Sequence, residues 1–169
     1  MPNQHAGVDL LSQCNMKITE LALTSKAGVI PYYFNEQGNL MMMFMVPSNP
    51  AFGGALYQIA KGHVDPGEQV EQAAFREGEE ELGLNTDNIV NMLHVATSVI
   101  KGEDDTYNLS VFAAEVKDPK AFGKPHFETG KRAWMTAKAF ETKGRQNHLA
   151  LVQRAMQKIL AAGGQKEVS

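Results

Sequence analysis

Residues 76–83 read Arg-Glu-Gly-Glu-Glu-Glu-Leu-Gly, with four glutamates in five consecutive positions. Helix-forming residues run from Val70 to Leu82, and Gly83 stands where a glycine commonly ends a helix. At about 100° per residue, Glu77, Glu80 and Glu81 fall within an arc of about 100°. Ala74, Phe75, Gly78 and Leu82 form an adjoining apolar stripe. Such a helix must bury the stripe against a sheet while three carboxylates sit at its margin. Taken alone, an acidic run is most often a solvated face, and Glu79, which points elsewhere, is read that way. The other three repel one another unless a cation joins them. A cluster of oxygen donors suits Mg²⁺ or Mn²⁺, with waters and substrate phosphates completing the shell.

The residues ahead of the helix favour a site over a solvated face. Gly62-His63-Val64-Asp65-Pro66-Gly67-Glu68 is a Gly/Pro-rich loop whose glycines let backbone approach a ligand closely. Arg76 supplies a planar positive fork that holds carboxylates, and Glu68 is placed to pair with it.

The totals fit a single small domain. A chain of 169 residues is most simply one domain with a core of its own. A formal net charge of −3 argues against a general grip on DNA. Cys14 is the only cysteine, so no internal disulfide forms. No apolar run reaches the ~18 residues of a membrane span, and residues 1–10 lack a signal-peptide pattern. The expectation is a cytoplasmic protein away from membranes, with residues 1–24 a loose lead-in, 25–162 the folded domain and 163–169 a frayed tail.

The patterning predicts a mixed α/β order rather than strict βαβ alternation. Strands are expected at 27–34 and 40–46 around an Asn/Gly turn, at 56–60, 89–100, 109–116 and 133–136. Helices are expected at 70–82, 138–142 and 146–160. The Met-rich run of the second strand, Met41 to Met45, reads as buried core.

Gly62, Glu68, Arg76-Glu77, Glu80-Glu81 and Gly83-Leu84 together resemble the Nudix box, G-x5-E-x7-R-E-U-x-E-E-x-G-U. All seven fixed positions match. Gly78 departs from the apolar position and is expected to weaken packing there. The resemblance implies an α/β/α sandwich with a mixed sheet over about residues 25–160. It implies metal-dependent hydrolysis of a nucleoside diphosphate linked to another moiety. Glu77, Glu80 and Glu81 then look like metal-binding carboxylates and the Gly62 carbonyl a further ligand, with Arg76 and Glu68 as their supports. The Tyr57-to-His63 stretch is similar to the W-x-x-P-K-G-H segment of asymmetric dinucleoside tetraphosphate hydrolases, with Tyr57 for Trp and Ala60 for Pro. That resemblance makes Lys61 a phosphate contact and Tyr57 a substrate-side residue. Glu128, six residues before Trp134, matches a late-loop glutamate of the same family that reaches the metal. Tyr107, beside the acidic Glu103-Asp104-Asp105 loop, is a candidate for stacking a base. A dinucleoside polyphosphate is thus the expected substrate. ADP-ribose, FAD or NADH is the alternative, ahead of nucleoside triphosphates or a non-catalytic nucleotide-binding module. The resemblance also raises a homodimer.

Overall fold

The computed structural model describes residues 23–49, 51, 54–102, 105–126 and 128–168, with side chains as far as residue 163. Residues 1–22 of the expected lead-in, as well as Glu103 and Asp104, lie outside these residues, and Thr24, expected in the lead-in, already belongs to the first strand. Strands β1 (Thr24–Phe34) and β2 (Leu40–Pro47) form a hairpin. Its turn is closed by Asn35, whose Oδ1 accepts from the N–H groups of Gln37 and Asn39. Then come β3 (Ala60–His63), α1 (Val70–Leu82), β4 (Ile89–Lys101), β5 (Thr106–Val116), β6 (Thr129–Met135), α2 (Ala137–Lys143) and α3 (Gln146–Val168).

The strands lie in the order β4-β5-β1-β2-β6, with β3 added on β1. The β1–β5 pair is parallel and the others antiparallel. The sheet is therefore mixed, as the patterning predicts. One edge of β1 serves two partners: Lys26–Val29 pair with β3, and Tyr32–Phe34 pair with β2. Pro31, which has no N–H to give a ladder, falls in the gap between them.

Side chains alternate between the two faces. Ala27 and Val29 pack with Ala73 and Ala74 of α1 and with Phe112 and Ala114 of β5. Ile30, Phe44 and Val111 point the other way, onto Phe140 of α2 and Val152, Ala155 and Ile159 of α3. One helix on one face and two on the other give the α/β/α sandwich. Met42, Met43 and Met45 are buried, because β2 is an inner strand covered on both sides.

Several boundaries differ from the sequence reading. The third strand is Ala60–His63 rather than 56–60; Tyr57 and Gln58 make only single bridges, to Gly144 and Met45. The glycine-rich Lys61-Gly62-His63 reads as loop locally, but β1 offers it a partner. Similarly, β5 begins at Thr106 and β6 at Thr129, because each has a neighbouring strand to extend along. The last helix runs past Leu160 to Val168. Within α1, Ala73 is buried and Phe75 only half-buried.

Gly78 has the opposite effect to the one expected. A Cβ there would stand 2.6 Å from Val29 Cγ1 and 3.0 Å from Leu84 Cδ2. Its missing side chain lets α1 approach the sheet closely, and this depth brings the carboxylates of α1 down to β3.

Candidate active site

The loop from Val64 to Gln69 turns the chain from β3 into α1, and Arg76 binds its two ends together. Arg76 Nε donates to Glu68 Oε2 and Nη2 to Glu68 Oε1, both at 2.9 Å. Nη2 also donates to the His63 carbonyl and Nη1 to Glu77 Oε1, each at 2.9 Å. Glu80 Oε1 lies 3.7 Å from Nη1. The bidentate pair holds Glu68 down at about pKa 2, helped by the Asp65 N–H that donates to the same carboxylate. Arg76 is thus bonded to both Glu68 and Glu77.

Glu77 is buried and lies against Gly62, in space that any Cβ at that position would fill. Burial raises its pKa, Glu80 raises it further, and Arg76 opposes both. Glu81 accepts from the Lys61 N–H at 2.7 Å. Burial raises its pKa as well, against the pull of Lys61, and Glu77 and Glu128 add to the rise. Glu79 is exposed, as expected.

The segment 117–126 is fastened across the C-terminal end of α1. The His126 N–H donates to Glu80 O at 2.7 Å, the Gly123 N–H to Gly83 O at 2.8 Å and Thr129 Oγ1 to Glu81 O at 2.8 Å. Arg132 donates to the carbonyls of Leu82 and Gly123. Trp134 Nε1 holds the Pro119 carbonyl, with the ring edge-on to Tyr33 and Phe122. These bonds satisfy the open carbonyls of the helix end. They also bring Glu128 into the cavity lined by Glu81.

That cavity, of about 1300 Å³, continues past Lys61 to Lys26, Tyr107 and Arg145. Lys61 is pushed down in pKa by burial and by the neighbouring Lys26 and Arg145, while Glu81 opposes. Two expected substrate contacts fall into different roles. Tyr107 is only 3% exposed, and Lys26 Nζ lies 4.1 Å from its ring centroid, so it supports a lysine rather than offering an open face to a base. Tyr57 does not line the cavity; its N–H donates to Lys143 O and its carbonyl accepts from the Arg145 N–H, which sews β3's approach to the α2–α3 junction. The sequence reading missed Lys26, Gln58 and Arg145. A second cavity of about 750 Å³, beside Phe34 and Lys117, is lined by none of the carboxylates of α1.

Among the described residues, no three carboxylate, imidazole or thiolate groups stand together at metal-holding distance. Glu77 is turned onto Arg76 and Glu81 onto the Lys61 N–H. The donor set still fits a hard divalent cation. It is all oxygen, Glu77 is buried and Glu81 half-buried with their charges incompletely compensated, and glycine leaves the space beside Glu77.

The model of the NUDIX domain matches residues 24–155. The chain belongs to the NUDIX family. With all seven fixed positions of the box in place, it is a Nudix pyrophosphohydrolase. Nudix hydrolases act on nucleotide substrates and generally use divalent metal ions. No curated protein matches the chain. Among solved structures, it is similar to an Ap4A hydrolase binary complex from C. elegans at 21% identity and TM-score 0.67, covering 83% of this chain and 99% of that one. It is similar to the NUDIX domain of Shewanella oneidensis NrtR complexed with ADP ribose at 16% identity and TM-score 0.68, covering 82% and 89%. It is also similar to the Nudix hydrolase RenU from M. smegmatis at 15% identity and TM-score 0.63, covering 82% and 86%. At these identities the likeness establishes the Nudix fold. None of the described helices is long and apolar enough to cross a membrane.

Proposed function

We propose that this Nudix chain is a Mg²⁺-dependent pyrophosphohydrolase, with Mn²⁺ able to substitute, whose substrate is a dinucleoside polyphosphate. The observation that carries this reading is the double use of Lys61. Its backbone N–H holds Glu81 at the acidic end of the cavity, while its side chain runs along the cavity wall to Gln58. Metal-binding and phosphate-binding groups therefore meet at one residue.

Glu77, Glu80, Glu81 and Glu128, with the Gly62 carbonyl, would hold the cation. Once bound, a divalent cation neutralises phosphate charge and activates a water. The protein's own groups do the rest. Arg76 fixes Glu77 while Glu68 fixes Arg76. The Lys61 ammonium holds a phosphate oxygen. A carboxylate facing the cavity accepts the water's proton, and Glu128, on the open side of the cavity, is assigned that part.

A second reading is a diphosphate-bridged substrate: ADP-ribose, FAD or NADH. It draws support from the structural likeness to the NrtR domain complexed with ADP ribose. Product analysis with Mg²⁺ separates the two. ATP plus AMP released from diadenosine tetraphosphate faster than from any other compound is the expected result. Faster release of AMP from ADP-ribose or FAD would move the substrate to the second class. Glu128→Gln is expected to slow turnover by more than about threefold, roughly 0.6 kcal/mol; a smaller effect would pass its role to another acid.

A further inference from the structure

We propose that Arg145, Lys26 and Lys61, gathered around Gln58 and Tyr107 at the N-terminal end of α3, form a seat for the phosphates of a polyphosphate chain that lie beyond the bond being cleaved. This rests on the reading of the cavity as a nucleotide-hydrolysing site, and it narrows the substrate class to chains of three or more bridging phosphates.

The cations come from three separate parts of the fold and converge on neutral partners. Gln58, 5% exposed, accepts at Oε1 from Arg145 Nη1 at 2.7 Å and from Lys61 Nζ at 3.3 Å. Its amide is held in turn by a hydrogen bond from Nε2 to Met45 Sδ at 3.4 Å. Lys26 Nζ lies over Tyr107 at 4.1 Å, and Lys61 Nζ is 5.9 Å from the same ring centroid. Among the described residues, only Asp105 makes an ion pair with any of the three, at 3.6 Å from Lys26, and Asp105 is largely exposed. Arg145 has no ion-pair partner among them. Three like charges converging in a half-buried wall repel. An anion carrying several charges removes that conflict, as a cation does for the glutamates at the opposite end.

The backbone adds to the same field. Arg145 directly precedes α3, a 23-residue helix with no acid in its first turn. Gln146 and Asn147 of that turn line the cavity. A helix N-terminus brings open N–H groups and partial positive charge to an anion. The guanidinium fork of Arg145 matches the paired oxygens of a phosphate.

The separation of the ends sets the selectivity. The Lys61 backbone touches Glu81 while its ammonium reaches Gln58, so its extended side chain spans from the carboxylates to the cations. In a diphosphate bridge both phosphates are engaged at the carboxylate end. A third and fourth phosphate extend to the cations.

Binding of inorganic tripolyphosphate in the presence of a chelator, measured by calorimetry, tests the seat without turnover. Wild type is expected to bind it. Arg145→Gln and Lys26→Gln should each weaken binding about tenfold, the loss of one charged hydrogen bond, and Arg145→Lys should recover part of it. Wild-type affinity in both glutamine variants would overturn the proposal. Steady-state kinetics with Mg²⁺ and diadenosine tetraphosphate give a second readout: in Arg145→Gln, KM should rise about tenfold with kcat within threefold. A fall in kcat at unchanged KM would assign Arg145 elsewhere and overturn it. If wild type turns over no dinucleoside polyphosphate, the substrate reading fails, and tripolyphosphate binding still decides the seat.

Discussion

Glu81 is held between opposed electrostatic influences. It is a carboxylate pressed into a half-buried wall, with Glu77 and Glu128 acting on it and Lys61 in opposition. Glu81→Gln removes the charge and keeps the oxygen that accepts the Lys61 N–H. The fold should survive, with a melting temperature at or above that of wild type, because an incompletely compensated, half-buried charge is gone. Turnover should fall by about a hundredfold or more, as expected when a group that stabilises transition-state charge is lost. Wild-type turnover in this variant would mean that the cation is held elsewhere. Glu68 makes a different prediction, about acid. Its pKa is about 2 in the folded chain and about 4.3 when unfolded, so folding favours its ionised form. That contribution is fully present above about pH 5 and is lost as pH falls through the folded value of about 2. In Glu68→Gln the loss of stability between about pH 5 and pH 2 should be shallower, as followed by denaturant midpoints. Identical slopes in the two proteins would show that other carboxylates govern acid unfolding.

Helix α1 shows what local pattern reveals of an element and what it omits. Its span of Val70–Leu82 and its stop at Gly83 were legible, because helix formers and a C-terminal glycine are adjacent in sequence. The strand limits were less so. Lys61-Gly62-His63 has loop composition and becomes strand only because Lys26–Gly28 lie beside it. Gly78 was read from propensity alone, and the deciding atom, Val29 Cγ1, lies on another element. These two effects give opposite predictions for Gly78→Ala. Helix propensity favours alanine by about 1 kcal/mol. Forcing a methyl group into a 2.6 Å gap costs about 1–3 kcal/mol. The net expectation is destabilisation by about 1 kcal/mol, with reduced turnover as α1 lifts from the sheet. Adding Val29→Ala should reverse the sign, so that Gly78→Ala stabilises in that background. An unchanged sign across the pair of melting curves would refute the close approach as its cause.

Across the whole molecule, the two ends of the cavity were not equally legible. The acidic end is one continuous stretch, Gly62 to Leu84, so spacing alone exposes it. Glu128 was found through its distance in sequence from Trp134. The basic end is assembled from the start of β1, the bridge at Gln58 and the α2–α3 junction. Lys61 was legible from its place beside the box, whereas Lys26 and Arg145 carry no local pattern and only the fold brings them to it. This assembly also predicts how the domain responds to metal. The fold holds Glu77, Glu80, Glu81 and Glu128 near one another, at a cost that the unfolded chain does not bear. A cation that binds only the folded cluster stabilises it by mass action, by about 2.7 kcal/mol at a hundredfold excess over Kd. For a chain of this size that corresponds to a rise of about 5–10 °C in Tm. Mg²⁺ should therefore raise the melting temperature over chelator-treated protein. The rise should persist in about 150 mM NaCl, which screens exposed charges over about 8 Å but does not coordinate. It should be largely lost in Glu81→Gln. An equal rise in that variant, or one reproduced by NaCl alone, would reduce the cluster to a screened acidic face.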